Sequence, residues 1–320
     1  MKNIQNHLDE KFSKNKEEIK MTVDEMEGDL IIKDYSNLKT IQISNIGSPS
    51  FEKGKIPKVT LENLPKLEEV IILCCEMEKL EVNNCPLINS LRLRKNKLHN
   101  LNFLNLLSNP ENLTYLSISN NRIMGQDLSD FSKFINLETL TIGNESEKGG
   151  NNFHGSLIHL KDLNQLKTLD ISYTNVDANE LDSLSLSLER IICQSNKDNN
   201  HNCYQIEQKL KEGWRNALLK IENNRESFSI ESETIKKIEQ EFDDFMSNLN
   251  SKYDQKKIKE VITRKVYQSL NKNQLTNIEN EAGMAVETTN SRTDLIINGS
   301  SSVANWVSAI ATVIGLFVKN

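Results

Sequence analysis

The chain has 320 residues, of which 37% are hydrophobic and 26% are charged, and its formal net charge is −6. The hydrophobic fraction lies below the about 45–50% typical of globular chains, which favours an extended domain with a thin core over a thick globule. Acidic and basic residues are interspersed along the chain, so no basic stripe marks a surface for nucleic acid.

The N-terminal segment, residues 1–27, is predicted to be a helical cap. Ile4, Leu8 and Phe12 recur at helical spacing and share one face. The first twenty residues are polar and charged, without the apolar stretch of a secretory signal. The five cysteines are too few and too irregularly spaced for a disulfide framework. Both features predict a reducing, cytoplasmic location.

Residues 28–200 repeat an L-x-x-L-x-L pattern, with Asn or Cys at the ninth position in the clearest copies. The central L-x-L is predicted to be a short strand, with its two apolar side chains inward and the residue between them outward. The ninth residue is expected to turn inward and satisfy backbone groups. The copies are Leu38-Ile41-Ile43, Leu67-Val70-Ile72-Cys75, Met77-Leu80-Val82-Cys85, Ile88-Leu91-Leu93-Asn96, Leu113-Leu116-Ile118-Asn121, Leu137-Leu140-Ile142, Leu166-Leu169-Ile171-Thr174 and Leu188-Ile191-Cys193-Asn196.

Two repeat lengths are present. In the first half most steps between anchors are 10 or 11 residues, and pairs of steps make a coil of ~20 residues with strands on both faces. Its anchors are Leu30, Ile41, Val59, Val70, Leu80, Leu91 and Leu101. The second half has longer units anchored at Leu116, Leu140, Leu169 and Ile191, and their return segments predict a tight turn followed by an irregular or 3₁₀ stretch.

The repeats carry a family resemblance. The segments LTYLSISNNR, NNFHGSL and LKTLDISYTNVDANELDSLSLSLERIICQS resemble large intracellular leucine-rich-repeat families known from fungi. The segment LEEVIILCCEMEKLEVNNCPLINSLRLRKNKL resembles the short two-strand repeat variety. The resemblance covers roughly residues 28 to 200. It implies an α/β leucine-rich-repeat solenoid, curved, with parallel strands on its concave face and helical caps. It implies no single activity, because such repeats bind many unrelated partners.

A C-terminal helical region is predicted over 201–286. A second cap is indicated by Ile206, Leu210, Trp214, Ala217 and Ile221. Two further stripes follow, at Ile235, Ile238, Phe242, Phe245 and Leu249, which is coiled-coil-like, and at Ile258, Ile262, Val266 and Leu270. They predict a helical hairpin packed on the chain itself or, alternatively, helices that join an oligomer or a partner.

An apolar tail, residues 303–320, follows a polar linker at 287–302. Its segment Val303–Val318 is shorter than the ~20 residues that a helix needs to cross a bilayer. Three interpretations are open: burial against the protein or another copy, shallow association with a membrane, and an aggregation-prone or signalling tail.

No catalytic motif is present. The sequence has no G-x-G-x-x-G, P-loop, G-x-S-x-G or H-E-x-x-H pattern. Cys193, His201 and Cys203 are a weak metal set, because Cys193 takes an inward strand position and a structural zinc needs four ligands. We therefore expect no catalytic residue, no cofactor and no metal site.

The predicted functional surface is the outward side of the strands. Arg92, Arg94 and Lys95 form a basic cluster in an acidic chain, and Tyr115 follows one repeat later; Arg and Tyr often dominate interface energetics. The alternative for each residue is an ordinary solvated strand position. The predicted protein-binding set is Gln42, Arg92, Arg94, Lys95, Tyr115, Ser117, Asn120, Thr141, Asn144, Asp170 and Tyr173.

These observations predict a non-enzymatic adaptor or scaffold that binds a protein partner and not nucleic acid. One alternative is a membrane-associated recruiter that uses the apolar tail. Another is a regulatory or substrate-recognition subunit of a separate ligase or kinase.

Overall fold

The computed structural model describes residues 1–46, 54–146, 150–177, 184, 188, 190–195 and 202–206, and the backbone of 252–254. This part of the chain is α/β, with few helices and with mostly parallel strands. The predicted C-terminal stripes from Leu210 to Leu270, the linker 287–302 and the tail Val303–Val318 lie outside the described residues.

The N-terminal segment contains strand β1 (Lys2–Asn3), helix α1 (Ile4–Lys11), strand β2 (Glu18–Thr22) and strand β3 (Met26–Glu27). Asn3 caps α1 by accepting the N–H of Asn6 on its side chain at 3.0 Å. Ile4 and Leu8 are fully buried and Phe12 packs against the same core, which confirms the predicted apolar face.

In the first half of the chain, strands alternate between two sheets, as the 10- and 11-residue steps predicted. Strands β4 (Leu30–Lys33), β6 (Lys58–Glu62) and β8 (Lys79–Asn83) form a three-stranded parallel sheet. Strands β5 (Thr40–Ser44), β7 (Glu69–Leu73) and β9 (Ser90–Arg92) belong to a nine-stranded sheet. Successive anchors therefore face each other across one core.

The second half extends only the larger sheet, through β10 (Tyr115–Ser117), β11 (Thr139–Thr141), β13 (Thr168–Asp170) and β15 (Arg190–Ile192). The return segments carry 3₁₀ helices η1 (Asn102–Leu106), η2 (Pro110–Asn112), η3 (Ser129–Phe131) and η4 (Leu157–Leu160), which confirms the 3₁₀ prediction. Two short strands, β12 (His154–Gly155) and β14 (Asn175–Val176), pair beside them.

The nine-stranded sheet has the order β2-β5-β7-β9-β10-β11-β13-β15, with every neighbouring pair parallel. Strand β16 (Lys252–Asp254) completes it, antiparallel to β15. The register aligns one inward row across the first eight strands: Ile19, Ile41, Val70, Leu91, Leu116, Leu140, Leu169 and Ile191. None of these side chains is more than 1% exposed, so the row forms a continuous core.

The ninth residue of the repeat turns inward, as expected. Asn96 donates from Nδ2 to the carbonyl oxygens of Ile72 and Leu93 at 2.8 and 3.1 Å, and its Oδ1 accepts the N–H of Cys75 at 3.0 Å. Cys75 itself is fully buried. These side chains join the carboxyl ends of adjacent strands and satisfy backbone groups that would otherwise be buried without partners.

Three elements differ from the sequence-based expectations. Strand β2 lies within the segment assigned to the cap, because its two inward residues, Ile19 and Met21, carry no L-x-x-L signal. Leu101 precedes η1 and anchors no strand. Phe103 and Leu104 are both buried, and consecutive residues of a strand cannot point to the same side. Strand β16 falls in a region that was predicted to be helical.

Candidate functional site

The side of the nine-stranded sheet that faces away from the core is called here the outer face. The register aligns its central row as Lys20, Gln42, Ile71, Arg92, Ser117, Thr141, Asp170 and Ile192. Five members of the predicted binding set, Gln42, Arg92, Ser117, Thr141 and Asp170, therefore lie in one row, and Lys20 of β2 extends it. A second row consists of Glu18, Thr40, Glu69, Ser90, Tyr115, Thr139, Thr168 and Arg190.

Arg92 belongs to the central row and contacts residues of the second row on both neighbouring strands. Its guanidinium carbon is 4.5 Å from the centroid of the Tyr115 ring, within the range of a cation–π contact. Its Nε is 3.4 Å from Oε1 of Glu69 and forms no hydrogen bond there. Ser90 donates to the same oxygen at 3.3 Å. Arg92 is thus held in one orientation while 44% of its side chain stays exposed.

Arg94 and Lys95 share one acidic partner, Glu145, in the segment that follows β11. Arg94 Nη2 lies 3.1 Å from one carboxylate oxygen and Lys95 Nζ 2.9 Å from the other. The backbone N–H of Glu145 donates to Oδ1 of Asn120 at 2.8 Å. Each basic residue of the predicted cluster is therefore paired with a carboxylate. The side chains of Arg94, Lys95 and Glu145 are about half exposed. Ion pairs between exposed side chains contribute only about 0–1 kcal/mol to the stability of a fold.

The two acidic partners were missed by the sequence analysis. The repeat pattern did not indicate Glu69 as an outward residue of interest, because Glu69 precedes the L-x-L apolar pair of its own repeat. Glu145 lies in one of the longest steps of the repeat, from Leu140 to Leu169, and that length was the available signal.

Three residues of the predicted binding set are buried. Ser117 is 1% exposed and accepts a hydrogen bond from Thr141 at 2.6 Å. Asn144 is 7% exposed and donates to the carbonyl oxygens of Asn151 and Tyr173. Tyr173 is also 7% exposed. These side chains are structural, and a partner could not contact them extensively.

The remaining members of the set are accessible. Gln42, Thr141 and Asp170 are half-buried in the central row, and Asn120, which follows the carboxyl end of β10, is also half-buried. Asp170 accepts the N–H of Ser172 at 3.0 Å, which fixes its carboxylate at the carboxyl end of β13. Together with Arg92, Arg94, Lys95 and Tyr115, they leave an accessible strip over six strands.

A pocket of about 470 Å³ lies where the carboxyl ends of β7, β9 and β10 meet. We call it the edge pocket. Its charged lining residues are Glu76, Lys95, Lys97 and Arg122, and Ser146 and Gly150 line the side formed by the segment after β11. Lys97 pairs with Glu76 at 3.0 Å.

Asn120 also lines the edge pocket and adopts a left-handed backbone conformation, with φ of 56°. Its Oδ1 accepts the N–H of Glu145, which identifies Nδ2 as the other polar atom of the side chain. That nitrogen is buried and has no hydrogen-bond acceptor within the described part of the chain. A buried donor without a partner costs about 1–3 kcal/mol, so its presence at a pocket calls for an explanation.

The cysteine thiols give no sign of reactivity in the core. Burial raises the pKa of the Cys75 thiol to about 12 and also raises the pKa values of Cys85 and Cys203. Among the described residues, no group of three or more His, Cys, Asp or Glu side chains is placed to hold a metal ion. In the same part of the chain, no helix combines the length and apolar character needed to cross a bilayer.

The chain matches no protein-family model and no curated protein. Its function must therefore be inferred from the geometry of the outer face and of the edge pocket.

Proposed function

We propose that the chain is a non-enzymatic adaptor or scaffold that binds a protein partner on the outer face of the nine-stranded sheet. We further propose that the sheet is the concave side of a leucine-rich-repeat solenoid. The observation that carries the proposal is the register: the parallel strands from β5 to β13 align the accessible residues Gln42, Arg92, Thr141 and Asp170 in one row.

The Arg92–Tyr115 pair is the proposed centre of this surface. Large side chains that are already ordered lose little conformational entropy when a partner binds. The Tyr115 ring, the Glu69 carboxylate and the flanking strands hold Arg92 in place before binding. Interfaces draw most of their energy from a few such Arg and Tyr residues.

The charge pattern predicts the partner's general character. Since Glu69 and Glu145 compensate Arg92, Arg94 and Lys95, the strip is mixed in sign and does not form a basic field. This supports a protein partner with alternating polar and charged groups over nucleic acid, whose binding depends on uncompensated cations. None of the five cysteines forms a disulfide, which supports a reducing cytoplasmic compartment.

Affinity purification with mass spectrometry tests the proposal. The test variant combines Arg92→Glu, Arg94→Glu and Tyr115→Ala. The control combines Lys33→Glu, Lys161→Glu and Ile31→Ala, which makes the same change of charge and truncates one exposed apolar residue away from the outer face. We expect a partner that wild type and the control retain and the test variant loses.

A second test variant guards against misfolding, because Arg92→Glu places a carboxylate beside Glu69. Thr139→Tyr with Thr168→Tyr adds bulk to neighbouring half-buried positions of the outer face without placing like charges side by side. Circular dichroism establishes that each variant is folded. A partner that both folded test variants retain would overturn the assignment of the outer face.

A further inference from the structure

We propose that the edge pocket binds a single carboxylate group presented by the protein partner, an inference that rests on the proposed protein-binding function. The residues that carry it are Arg122 and Asn120, which line the same pocket. Among the described residues, Arg122 has no ion-pair partner and the buried Nδ2 of Asn120 has no hydrogen-bond acceptor.

Arg122 is the uncompensated charge of the pocket. Lys95 is paired with Glu145 at 2.9 Å and Lys97 with Glu76 at 3.0 Å, whereas Arg122 forms no ion pair with any described residue. Its side chain is exposed. A guanidinium is matched in shape and charge to a carboxylate, to which it donates two parallel hydrogen bonds.

Asn120 supplies a neutral donor beside this charge. The hydrogen bond from the N–H of Glu145 to Oδ1 at 2.8 Å orients its amide, so the group that lacks a partner is the Nδ2 donor and not an acceptor. A donor left unpaired beside a cationic pocket selects for an acceptor-rich ligand. A carboxylate has two oxygens that accept hydrogen bonds and none that donate.

The balance of charge favours a monoanion. Three cations face the pocket, namely Lys95, Lys97 and Arg122, and the two carboxylates of Glu76 and Glu145 lie beside them. Among the described residues, these charges leave one positive charge. A carboxylate balances that charge, whereas a phosphate monoester, which carries nearly two negative charges, would leave an excess negative charge beside the two glutamates.

The size and place of the pocket indicate how the carboxylate arrives. A volume of about 470 Å³ exceeds that of a lone ion and accommodates one or two amino-acid residues. Lys95 and Asn120 also belong to the predicted binding set on the outer face. A polypeptide lying along that face can therefore insert either a chain terminus or an Asp or Glu side chain here, and the shared chemistry is the carboxylate.

The test is a ¹⁵N nuclear magnetic resonance titration of the full chain with small probes at millimolar concentration. N-acetylglycine represents a chain terminus, N-acetylaspartate α-amide an acidic side chain, N-acetylphosphoserine amide a phosphate, and N-acetylglycinamide the neutral control. The signal followed is the side-chain amide of Asn120, assigned by its absence from Asn120→Asp. We expect a saturable shift with one or both carboxylates and none with the neutral amide.

The variants separate recognition from folding. Asn120→Asp keeps the acceptor for the Glu145 N–H and suits the left-handed backbone, but it replaces the unpaired donor by an acceptor. We expect Arg122→Gln to weaken carboxylate binding about tenfold or more, and Asn120→Asp to abolish it. Lys161→Gln, at an exposed position outside the pocket, should bind as wild type does. For Arg122→Gln and Lys161→Gln, the titration monitors the side-chain amide of Asn120. For Asn120→Asp, which lacks this amide, it monitors the backbone signals of pocket residues.

The outcomes are decisive. A response to N-acetylglycine identifies a chain terminus, and a response to N-acetylaspartate α-amide identifies an acidic side chain. A response to the phosphoserine probe alone, or no saturable shift, overturns the inference. If purification recovers a partner that depends on the outer face, but no carboxylate probe produces a saturable shift, only this inference fails. If the pocket binds carboxylates but no partner depends on the outer face, the proposed function fails instead.

Discussion

Asn151 makes the same contacts with β10 and β11 that Asn121 makes with β9 and β10. Asn121 Nδ2 donates to the carbonyl oxygens of Leu93 and Ile118 at 2.9 and 2.8 Å, and Asn151 Nδ2 donates to those of Ile118 and Ile142 at 2.8 and 2.9 Å. Yet Asn121 follows its strand within a few residues, whereas Asn151 is separated from β11 by a long insertion. The insertion that carries Glu145 therefore leaves the hydrogen-bond pattern of the repeat intact.

Substitution of these asparagines should destabilise the fold. Asn121→Ala deprives the N–H of Leu98 of its acceptor in a buried place and removes one of the two donors to the carbonyl oxygens of Leu93 and Ile118. Asn151→Ala deprives the N–H of Ile123 of its acceptor and the carbonyl oxygen of Ile142 of a donor. We expect each to lower the free energy of unfolding by about 2–5 kcal/mol. Asn136→Ala, which removes one exposed hydrogen bond, should cost less than about 1 kcal/mol. Urea denaturation measures all three, and equal losses would contradict the structural role.

The conformation of the insertion depends on Gly150. Its φ is +119°, and an added Cβ would lie 2.2 Å from Oδ1 of Asn144, the atom that accepts the N–H of Asn151. Gly125 also has a positive φ, of +59°, but no atom lies within 4 Å of the corresponding Cβ. We expect Gly125→Ala to cost about 1–2 kcal/mol and Gly150→Ala clearly more, measured as a shift of the melting temperature. A larger loss for Gly125→Ala would refute this account.

The Arg92–Tyr115 contact should couple the two residues energetically. A double-mutant cycle with Arg92→Met and Tyr115→Leu removes the charge and the aromatic ring while keeping much of the apolar bulk. We expect a coupling of about 0.5–1 kcal/mol in the free energy of unfolding, the range for a cation–π pair at an exposed site. The same cycle between Arg92 and Thr168, whose strand is not adjacent to β9, should give no coupling. Coupling below the experimental error in the first cycle would show that the contact contributes nothing.

Glu81 makes stability depend on pH. Hydrogen bonds from Lys79 and Lys58, at 2.7 and 2.9 Å, lower the pKa of the Glu81 carboxyl from 4.5 to about 2. A lowered carboxyl pKa stabilises the fold above the unfolded value and loses that contribution as pH falls through the folded one. The stability difference between wild type and Glu81→Gln should therefore shrink between pH 4.5 and about 2. Glu10→Gln, at an exposed position of α1, controls for the loss of a carboxyl group elsewhere on the surface.

We expect one of the five cysteine thiols to react rapidly in the native protein and the other four to react slowly. Cys74 is partly exposed, whereas Cys75, Cys85, Cys193 and Cys203 are buried. A disulfide reagent at pH 8 should modify one thiol rapidly in the native protein and all five in guanidinium chloride, because the thiolate is the reactive form and burial disfavours it. Cys74→Ser should remove the rapid phase. Two rapid thiols in the native wild type would show that the core is more open than described.

Sequence periodicity was sufficient for the strands that carry a strong apolar signal. Leu91, Leu116, Leu140 and Leu169 were each placed in a strand, and the outward residues beside them fell in one row. The inward turn of Asn96 and Asn121 also followed from the ninth position alone. Strand β2 was not predicted, because two apolar residues do not distinguish a strand from a helical cap. For 207–251 and 255–320 the sequence-based predictions stand untested.

The sequence by itself determined which residues face the core, because a period of two within each strand and a recurring ninth residue leave one way to bury the apolar set. Only the tertiary structure decided which outward residues are accessible. It buries Ser117, Asn144 and Tyr173 and pairs Arg94 and Lys95 with Glu145, a residue 50 positions further along the chain than Lys95. Such pairings depend on the distance between side chains in space, which the spacing within a single repeat does not encode.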